Sequence, residues 1–433
     1  MDAAHDDADV IVVGAGPAGA SAAYHCAAAG LDVLLLEKAS FPRDKVCGDG
    51  LTPRAVAELV RMGVPLREQD GWIRNRGLRV VGGGHRLELP WPELSSYPSY
   101  GLARARTTFD QTLAEHARAA GAKLLESTSV TRPIRDERTG RVVGVRARAV
   151  DRDGRRTVDA GAETTYRAPV VVAADGVSAR LATAVGRVKR DDRPMGVAVR
   201  TYFRTPRHDD PWMESHLELW DGAPGRSNLM PGYGWIFSLG DGTANVGLGS
   251  VSSTAAATKV DYKDLFARWM ANAPAEWEFT PDNQVGPVRG AALPMGFNRG
   301  PLYADGLLLA GDSAGMVSPF NGEGIAYGLQ AGRVAADAIA QGLARGSAAG
   351  RERALASYQA RMKDDLGGYY TLGRVFVRLI EHPQVMRLCT RYGLPRPLLM
   401  RFVLKLLSDC YEPRGGDAVD RVIAALARIA PDA

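Results

Sequence analysis

The chain has 433 residues, which is enough for two or three domains and for a core that encloses a large cofactor. Hydrophobic residues make up 45% and charged residues 24%, a balance that is typical of globular enzymes and excludes disordered and fibrous chains. The formal net charge is +5, but Lys and Arg are dispersed among acidic residues, so this charge does not by itself indicate nucleic acid binding.

The cysteines and the pattern of apolar residues bear on the cellular compartment. Cys26, Cys47, Cys389 and Cys410 lack C-x-x-C spacing and are too few for a disulfide scaffold, which favours a reducing compartment. The acidic start, residues 1–9, does not have the layout of a signal peptide, and charges, Gly or Pro interrupt every long apolar run. We therefore expect a cytoplasmic protein without a membrane span.

The N-terminal segment is typical of a βαβ unit. Residues 8–13 form an apolar run, residues 18–29 form an Ala-rich helical stretch, and residues 32–36 form a second apolar run that ends at Glu37. Two strands joined by one helix must be parallel, because a tight turn cannot connect them. The chain is thus predicted to begin with half of a doubly wound sheet.

The turn between the first strand and the first helix fits the pattern G-x-G-x-x-G. Gly14 would make the turn, Gly16 would admit a pyrophosphate, and Gly19 would let helix and strand pack closely. Glu37 is placed to accept hydrogen bonds from an adenosine ribose, and an acid there disfavours a 2′-phosphate. The alternative is a Gly-rich turn without a ligand, but the full context favours FAD or NAD over NADP.

Further elements are predicted in chain order. We expect helices over residues 107–120 and 324–345, and strands over residues 141–150, 166–172, 196–203, 215–219, 233–239, 244–249 and 307–310. The strands between residues 196 and 249 follow one another closely, which favours an antiparallel sheet. After residue 348 helical periodicity dominates, with breaks at Pro383, Pro395 and Pro397.

Distal motifs separate FAD from NAD. Leu307–Gly315 reads Leu-Leu-Leu-Ala-Gly-Asp-Ser-Ala-Gly, and Pro319 and the sequence Asn-Gly-Glu-Gly-Ile at Asn321–Ile325 follow it. This pattern puts the carboxylate of Asp312 at a strand end, before a second Gly-bearing helix start. It resembles the second FAD fingerprint of the flavoprotein hydroxylase and reductase superfamily, which implies that Asp312 binds the ribityl hydroxyls.

Two more segments support this resemblance. Val171–Gly176 resembles the middle motif of the superfamily, and Arg106–Asp110 resembles its flavin-contacting Arg before a helix. The plainer alternatives are a helix N-cap at Asp312 and a surface charge at Arg106. Four motifs in the right order favour FAD.

The remaining motifs resemble the geranylgeranyl reductase family of FAD-dependent oxidoreductases. They are Phe41–Gly50, Pro231–Phe237 and Leu293–Gly296. Three stretches, residues 41–54, 211–219 and 229–237, look most like bacterial reductases that saturate a double bond in the isoprenoid tail of menaquinone. One departure is Ser238, where the aromatic motif of the family usually continues with Pro.

These observations together predict an α/β fold. It has a discontinuous Rossmann-like FAD-binding domain over residues 1–75, 101–190 and 290–347, an inserted antiparallel-sheet substrate domain over residues 76–100 and 191–289, and a helical region over residues 348–433. The residues expected to bind FAD are Gly14, Gly16, Ala18, Gly19, Glu37, Lys38, Cys47, Gly48, Arg106, Asp175, Gly176, Gly311, Asp312, Pro319, Gly322, Gly324 and Ile325.

Candidate catalytic residues are Cys47, Tyr233 and Trp235. Cys47 lies in a Gly-rich loop with Arg43 and Lys45, and flanking cations favour a thiolate or a directed thiol, although a small packed residue is equally compatible. Tyr233 and Trp235 alternate on a predicted strand and so share a face, where they could line a slot for an isoprenoid chain or form an ordinary sheet core. Cys47 or Tyr233 is the candidate proton donor, and no metal site is expected.

The tail has the composition of an interfacial helix. Residues 382–408 contain no acid but several Arg residues, and an apolar stripe with helical spacing runs from Leu399 to Leu407. Arg401 and Lys405 would lie off this stripe. A helix packed on the core is the alternative, but a lipid-tailed substrate favours peripheral contact with the inner face of the cell membrane.

The leading functional hypothesis is FAD-dependent reduction of a C=C double bond in a polyprenyl chain, with the isoprenoid tail of menaquinone as the expected substrate. Alternatives are a geranylgeranyl diphosphate or prenyl-lipid reductase, a flavin-dependent aromatic hydroxylase or halogenase, and a non-catalytic prenyl-lipid carrier. The sequence has no second complete G-x-G-x-x-G, so the electron donor is left open.

Overall fold

The computed structural model describes residues 7–155, 162–251 and 260–430. Residues 1–6 of the acidic start and part of the turn region predicted after residue 150 lie outside the described residues. The helices within the described ranges are α1 Pro17–Ala28, α2 Pro53–Arg61, α3 Arg106–Ala119, α4 Arg180–Ala184, α5 Tyr262–Met270, α6 Ile325–Leu343, α7 Ala348–Ile380, α8 Pro383–Leu388, α9 Pro397–Leu407 and α10 Ala418–Ile429.

The strands of the described residues form five sheets. They are β1 Val10–Val13, β2 Val33–Leu36, β3 Gly50–Leu51, β4 Ile73–Asn75, β5 Gly77–Gly82, β6 His85–Pro90, β7 Gly101–Ala103, β8 Lys123–Leu125, β9 Thr128–Arg135, β10 Val142–Ala149, β11 Thr164–Arg167, β12 Val170–Ala173, β13 Met195–Arg204, β14 Trp212–His216, β15 Leu219–Trp220, β16 Leu229–Met230, β17 Gly232–Ser238, β18 Thr243–Val251, β19 Gln284–Pro294, β20 Tyr303–Ala304 and β21 Leu307–Leu309.

A six-stranded sheet of order β20-β21-β12-β1-β2-β8 forms the Rossmann-like unit. All of its pairs are parallel except β20 with β21. Its strands are buried runs of Val and Leu, because layers cover both faces of the sheet. Helices α1 and α6 pack so closely that a Cβ on Gly332 would lie 2.5 Å from the carbonyl oxygen of Ala18. The predicted α/β fold with an FAD-type parallel sheet is confirmed.

The single strand predicted over residues 166–172 is wrong. The chain forms two strands there: β11 pairs antiparallel with β10 in a three-stranded sheet, whereas β12 joins the parallel sheet. The break falls at Ala168 and Pro169, and Pro cannot donate a backbone hydrogen bond to either sheet. One apolar run therefore serves two sheets.

The second large sheet has seven strands in the order β19-β13-β18-β17-β14-β5-β6. It is antiparallel as predicted, except that β14 and β5 pair in parallel. The strand predicted over residues 215–219 is divided between β14 and β15. Strand β19 runs to Pro294 and so crosses the predicted domain boundary at residue 289. The division into domains stays a prediction.

Helices dominate the chain after residue 348, as predicted. Helix α7 ends at Ile380, and both α8 and α9 begin at a Pro, where the missing N–H costs nothing. Lys405, which was predicted to lie off the apolar stripe of α9, is nevertheless not exposed to solvent. Its Nζ is buried and donates to Asp417 and Asp420 at 2.8 Å each, so the N-terminal turn of α10 pairs this charge.

Candidate active site

One cavity of about 940 Å³ lies between the parallel sheet, the seven-stranded sheet and the C-terminal helices. All the predicted catalytic and cofactor-binding residues line it except Gly19. A Cβ on Gly19 would lie 1.8 Å from the carbonyl oxygen of Gly14, so Gly19 lets α1 pack on the end of β1. Residues from distant segments therefore meet in one site.

The polar end of the cavity is formed by the N-terminus of α1 and the end of β2. No side chain caps the first turn of α1, so backbone N–H groups are available to an anion there. Glu37 follows β2, and its carboxylate accepts from the backbone N–H groups of Ala15 at 2.9 Å and Ala39 at 3.1 Å. These bonds hold the carboxylate against the Gly-rich turn.

Two carboxylates, those of Asp175 and Asp312, lie beyond this turn at the cavity wall. The Oδ1 atom of Asp175 is buried without a hydrogen-bond partner, while Oδ2 accepts from the backbone N–H of Leu181 at 3.2 Å. Burial raises the pKa of Asp175. Asp312 lines the same end of the cavity at the start of a 3₁₀ turn. An unpaired buried acceptor is costly, which favours a donor-bearing ligand such as FAD at this position.

Arg106 is buried and is not a surface charge. Its guanidinium donates to both carboxylate oxygens of Asp110, at 2.6 and 2.7 Å, and Arg43 binds the same carboxylate at 2.8 Å. The Asp110 carboxylate thus holds two guanidinium groups at the cavity wall. The signal for this ion pair in the sequence is the spacing of four residues between Arg106 and Asp110, which places the two side chains one turn apart on the same side of a helix.

The Cys47 loop packs directly on the aromatic face of β17. A Cβ on Gly48 would lie 3.2 Å from the ring of Phe237 and 3.4 Å from Nε1 of Trp235, so a side chain here would require these rings to shift by a few tenths of an ångström. Burial raises the pKa of the Cys47 thiol, although the Arg106 guanidinium nearby lowers it. Of the two forms that the flanking cations predicted, a thiolate or a directed thiol, burial favours the thiol.

Asp49 follows Cys47 in the same loop and anchors the loop to the seven-stranded sheet. It was not among the predicted site residues. Its Oδ2 accepts from the Tyr202 hydroxyl at 2.8 Å and from Nδ2 of Asn245 at 2.9 Å. Burial raises the pKa of Asp49 to about 6, while the donors of Asn245 and Tyr202 lower it. Residues of β18 alternate between the two faces of the sheet, which places Asn245 on the face that carries Trp235. The sequence could not show the contact between Asn245 and Asp49, because the two residues come from distant segments.

Tyr233 and Trp235 lie on one face of β17, with ring centroids 6.1 Å apart. The Tyr233 hydroxyl donates to the backbone carbonyl of Asn321 at 2.6 Å, and Trp235 Nε1 donates to Oδ1 of Asn245 at 2.8 Å. Burial raises the pKa of Tyr233, and the negative charge of Glu323 raises it further. The phenol proton is thus already engaged, which makes Tyr233 a weak acid.

The other end of the cavity is apolar. Side chains of β5, β6, β14 and the C-terminal helices line it: Leu78, Val80, Leu89, Met213, Leu217, Phe376, Ile380, Met386, Met400, Val403, Leu404 and Leu407. These residues were not predicted, because each stands in an ordinary amphipathic element and only the tertiary fold brings them together. The apolar end meets the polar end at the Cys47 loop and the aromatic residues of β17.

Glu323 introduces a carboxyl group into the wall between the two ends. Its oxygens accept from the Thr52 hydroxyl at 2.8 and 3.1 Å, and it forms no ion pair with a Lys or Arg among the described residues. Burial raises the pKa of Glu323 to about 7, although Thr52 and Arg54 lower it. Glu323 was not among the predicted site residues, although its neighbours Gly322 and Gly324 were.

Comparison with known proteins identifies relatives of the whole chain. The family model for an FAD binding domain matches residues 7–364. A menaquinone reductase of Mycobacterium tuberculosis is 38% identical over 425 residues, covering 96% of this chain and 95% of that protein.

Solved structures share the fold. A geranylgeranyl bacteriochlorophyll reductase-like protein of Thermoplasma acidophilum has a TM-score of 0.74 at 22% identity, with 97% of this chain and 99% of that chain covered. The flavin-dependent brominase Bmp2 has a TM-score of 0.70 at 21% identity, with 98% of each chain covered. At such identities the likeness concerns the fold alone. None of the helices in the described ranges has the length and hydropathy to cross a membrane.

Proposed function

This chain belongs to the geranylgeranyl reductase family of FAD-dependent oxidoreductases, and on that premise we propose that it saturates a double bond in the isoprenoid tail of menaquinone. The enzyme class, a flavin-dependent reductase of prenyl C=C bonds, follows from the family. The choice of menaquinone is supported by the extent of the match, since 96% of the chain aligns with a menaquinone reductase.

The observation that carries the proposal is the apolar end of the cavity. It runs between the aromatic face of β17 and helix α9, and it reaches the Cys47 loop at the border of the cofactor end. An isoprenoid tail is a chain of methyl-branched alkene units without polar groups, so it gains most from such a wall of Leu, Met and Val. A polar aromatic substrate of a hydroxylase or halogenase would cover little of this apolar surface and would gain little from it.

The residues of the chain have distinct proposed tasks in this reaction. When bound and reduced, FAD supplies a hydride. Gly14, Gly16 and the first turn of α1 would hold its pyrophosphate, Glu37 its adenosine ribose, and Asp312 its ribityl chain. Tyr233 and Trp235 would fix one unit of the tail against the Cys47 loop, because an isolated alkene reacts only when it is closely positioned and water is excluded.

We also propose that the C-terminal helices dock on a membrane that carries the substrate. Their inner faces line the apolar end of the cavity, through Phe376 and Ile380 of α7 and Val403 of α9. Their outer faces expose Leu379 at 50% and Leu398 at 79% of the side-chain surface. The segment 382–408 has no acid and has four arginines besides the buried and paired Lys405, a charge pattern that complements anionic lipid headgroups.

A single-turnover assay tests the proposed substrate. The purified holoprotein is reduced with dithionite without oxygen and mixed with menaquinone, and the lipid is weighed by mass spectrometry. A gain of two hydrogens in the tail, with the quinone ring unchanged after reoxidation, is the expected result. Unchanged menaquinone together with hydrogenation of geranylgeranyl diphosphate or of another prenyl lipid would refute menaquinone and keep the family reaction.

A further inference from the structure

We propose that Glu323 is the acid that delivers a proton to the alkene in the cavity. This inference rests on the proposed function, since it names the proton source for that reaction. One alkene carbon receives a hydride from the reduced cofactor, and the other receives the proton of the Glu323 carboxyl. The π bond and the carboxyl O–H bond break, two C–H bonds form, and a carboxylate remains on Glu323.

The position of Glu323 supports this role. It lies in the Asn321–Ile325 segment that enters α6, and it lines the cavity together with its hydrogen-bond donor Thr52 and with Tyr233, whose pKa its charge raises. The adjacent Gly322 has a φ of +72° and brings the loop so close to β17 that a Cβ there would lie 3.9 Å from the Tyr233 hydroxyl. Glu323 therefore stands beside the aromatic residues proposed to hold the alkene.

The hydrogen bonds of Glu323 leave it able to release a proton. Thr52 is its side-chain donor, and the nearest cation, Arg54, is engaged by Asp409 at 3.0 Å, by Tyr97 at 2.9 Å and by Gln330 at 2.8 Å. A carboxyl that lacks an ion-pair partner in an apolar wall keeps its proton to higher pH than one in water.

The rival donors are weaker acids in this environment. Burial raises the pKa of both Cys47 and Tyr233, and the Tyr233 proton is donated to a backbone carbonyl. Burial brings the pKa of Glu323 to about 7, close to the pH at which an acid catalyst works best. Its charged and titratable neighbours on all surrounding elements are Arg54, Tyr233, Tyr327, Tyr369, Tyr370, Asp409 and Cys410.

The test is the pH profile of the single-turnover rate of the reduced holoenzyme with menaquinone. Because the acid must be protonated, the wild-type rate should fall as pH rises through about 7. This decrease is the alkaline limb of the pH profile. Glu323→Gln keeps an acceptor for Thr52 but has no proton to give, so the rate should fall about 100-fold or more and the limb should vanish. Thr52→Val removes a bond that lowers the pKa of Glu323, so it should move the limb to higher pH.

Thr112→Val is the matched control. The Thr112 hydroxyl is exposed and donates to a helical carbonyl at 2.9 Å, so the limb should stay where it is. A second readout does not need turnover: holoprotein labelled with ¹³C at the glutamate carboxyls should show one resonance that titrates near neutral pH, is absent in Glu323→Gln and shifts in Thr52→Val.

Two results would overturn the role of Glu323 alone. One is wild-type reduction of menaquinone together with a Glu323→Gln variant that keeps the rate and the limb. The other is a Glu323 carboxyl resonance that titrates like an ordinary exposed glutamate. If the wild type reduces no prenyl lipid at all, the proposed function itself fails and this role with it.

Discussion

The indole Nε1 of Trp235 donates to Oδ1 of Asn245 at 2.8 Å, and this bond fixes the amide so that its Nδ2 faces the Cys47 loop. The same Nδ2 donates to the carbonyl of Cys47 at 2.8 Å and to Oδ2 of Asp49 at 2.9 Å. An aromatic residue proposed to hold the substrate and the loop proposed to touch the flavin are thus joined through one buried amide. A shift of Trp235 should therefore move the Cys47 loop, and a shift of the loop should move Trp235.

Asn245→Leu should destabilise the protein and weaken FAD binding. The substitution leaves the Trp235 N–H and the Cys47 carbonyl buried without partners, at a cost on the order of 1–3 kcal/mol for each group. Urea unfolding gives the free energy, and flavin fluorescence gives the dissociation constant. Asn272→Leu is the control, because the amide of Asn272 is exposed and bonds only to backbone carbonyls at 3.1 Å. Equal losses in both variants would argue against the coupling.

Gly14→Ala should cost more stability than Gly30→Ala, although both glycines have left-handed φ angles, +98° and +84°. The left-handed conformation alone costs an alanine about 1–2 kcal/mol. A Cβ on Gly14 would also lie 2.3 Å from the carbonyl oxygen of Ala174, whereas one on Gly30 would meet nothing within 4 Å. We expect an additional loss of about 1–3 kcal/mol in the free energy of unfolding of Gly14→Ala, with FAD affinity reduced in this variant only. Similar values in both variants would contradict this.

Local patterns pointed to residues that the structure brings together at one end of the cavity, although their contacts with FAD stay a prediction. The spacing from Gly14 to Glu37 and the carboxylate of Asp312 are properties of one strand, one turn and one helix, and all of them line the cavity. Sequence patterns could not show that residues 166–172 serve two sheets, because a continuous apolar run is equally compatible with one buried strand.

Long-range pairing explains what else was missed. The sequence placed Lys405 off the apolar stripe but did not show that it is paired, because its acidic partners, Asp417 and Asp420, come after a turn. Glu323 stands between two glycines. Nothing in that local sequence indicates that Glu323 is buried or that it lacks an ion-pair partner among the described residues. Burial and pairing are properties of the tertiary structure, so charges are the least predictable part of this site.

Val403→Trp should block the apolar end of the cavity. Val403 lines the cavity on α9, and the larger ring would occupy the space proposed for the isoprenoid tail. We expect FAD binding to be retained and kcat/KM for menaquinone to fall at least about tenfold, which corresponds to about 1.4 kcal/mol. Val60→Trp on α2 is the control, because Val60 is 56% exposed and lies outside both the cavity and the C-terminal helices. Full activity of Val403→Trp at an unchanged melting temperature would exclude this path for the tail.

The stability of Glu323→Gln relative to wild type should increase with pH. The pKa of Glu323 is raised from 4.5 to about 7 by burial, so the folded state binds the extra proton between these values. Wild type therefore loses unfolding free energy as pH rises through this window, by at most about 3 kcal/mol at 1.36 kcal/mol per pH unit, and the glutamine variant does not. Urea unfolding of both proteins at pH 4.5 and pH 8 with saturating FAD measures the difference. A difference that does not change with pH would show that the carboxyl titrates normally.

Removal of three positive charges from the C-terminal helices should weaken membrane binding. Arg391, Arg396 and Arg401 are exposed and lie in the segment without acids. Each basic residue near an anionic surface contributes about 1 kcal/mol, so changing all three to Gln should lower the affinity for phosphatidylserine-containing vesicles by about 100-fold, measured by sedimentation.

The control for this prediction changes the exposed Arg118, Arg132 and Arg138 to Gln, which removes the same net charge elsewhere on the protein. Because the headgroup attraction is local and screened within about 10 Å at moderate salt, this control should bind almost as wild type does. Equal losses in both triple variants would mean that net charge, and not the helical surface, attracts the protein to the membrane.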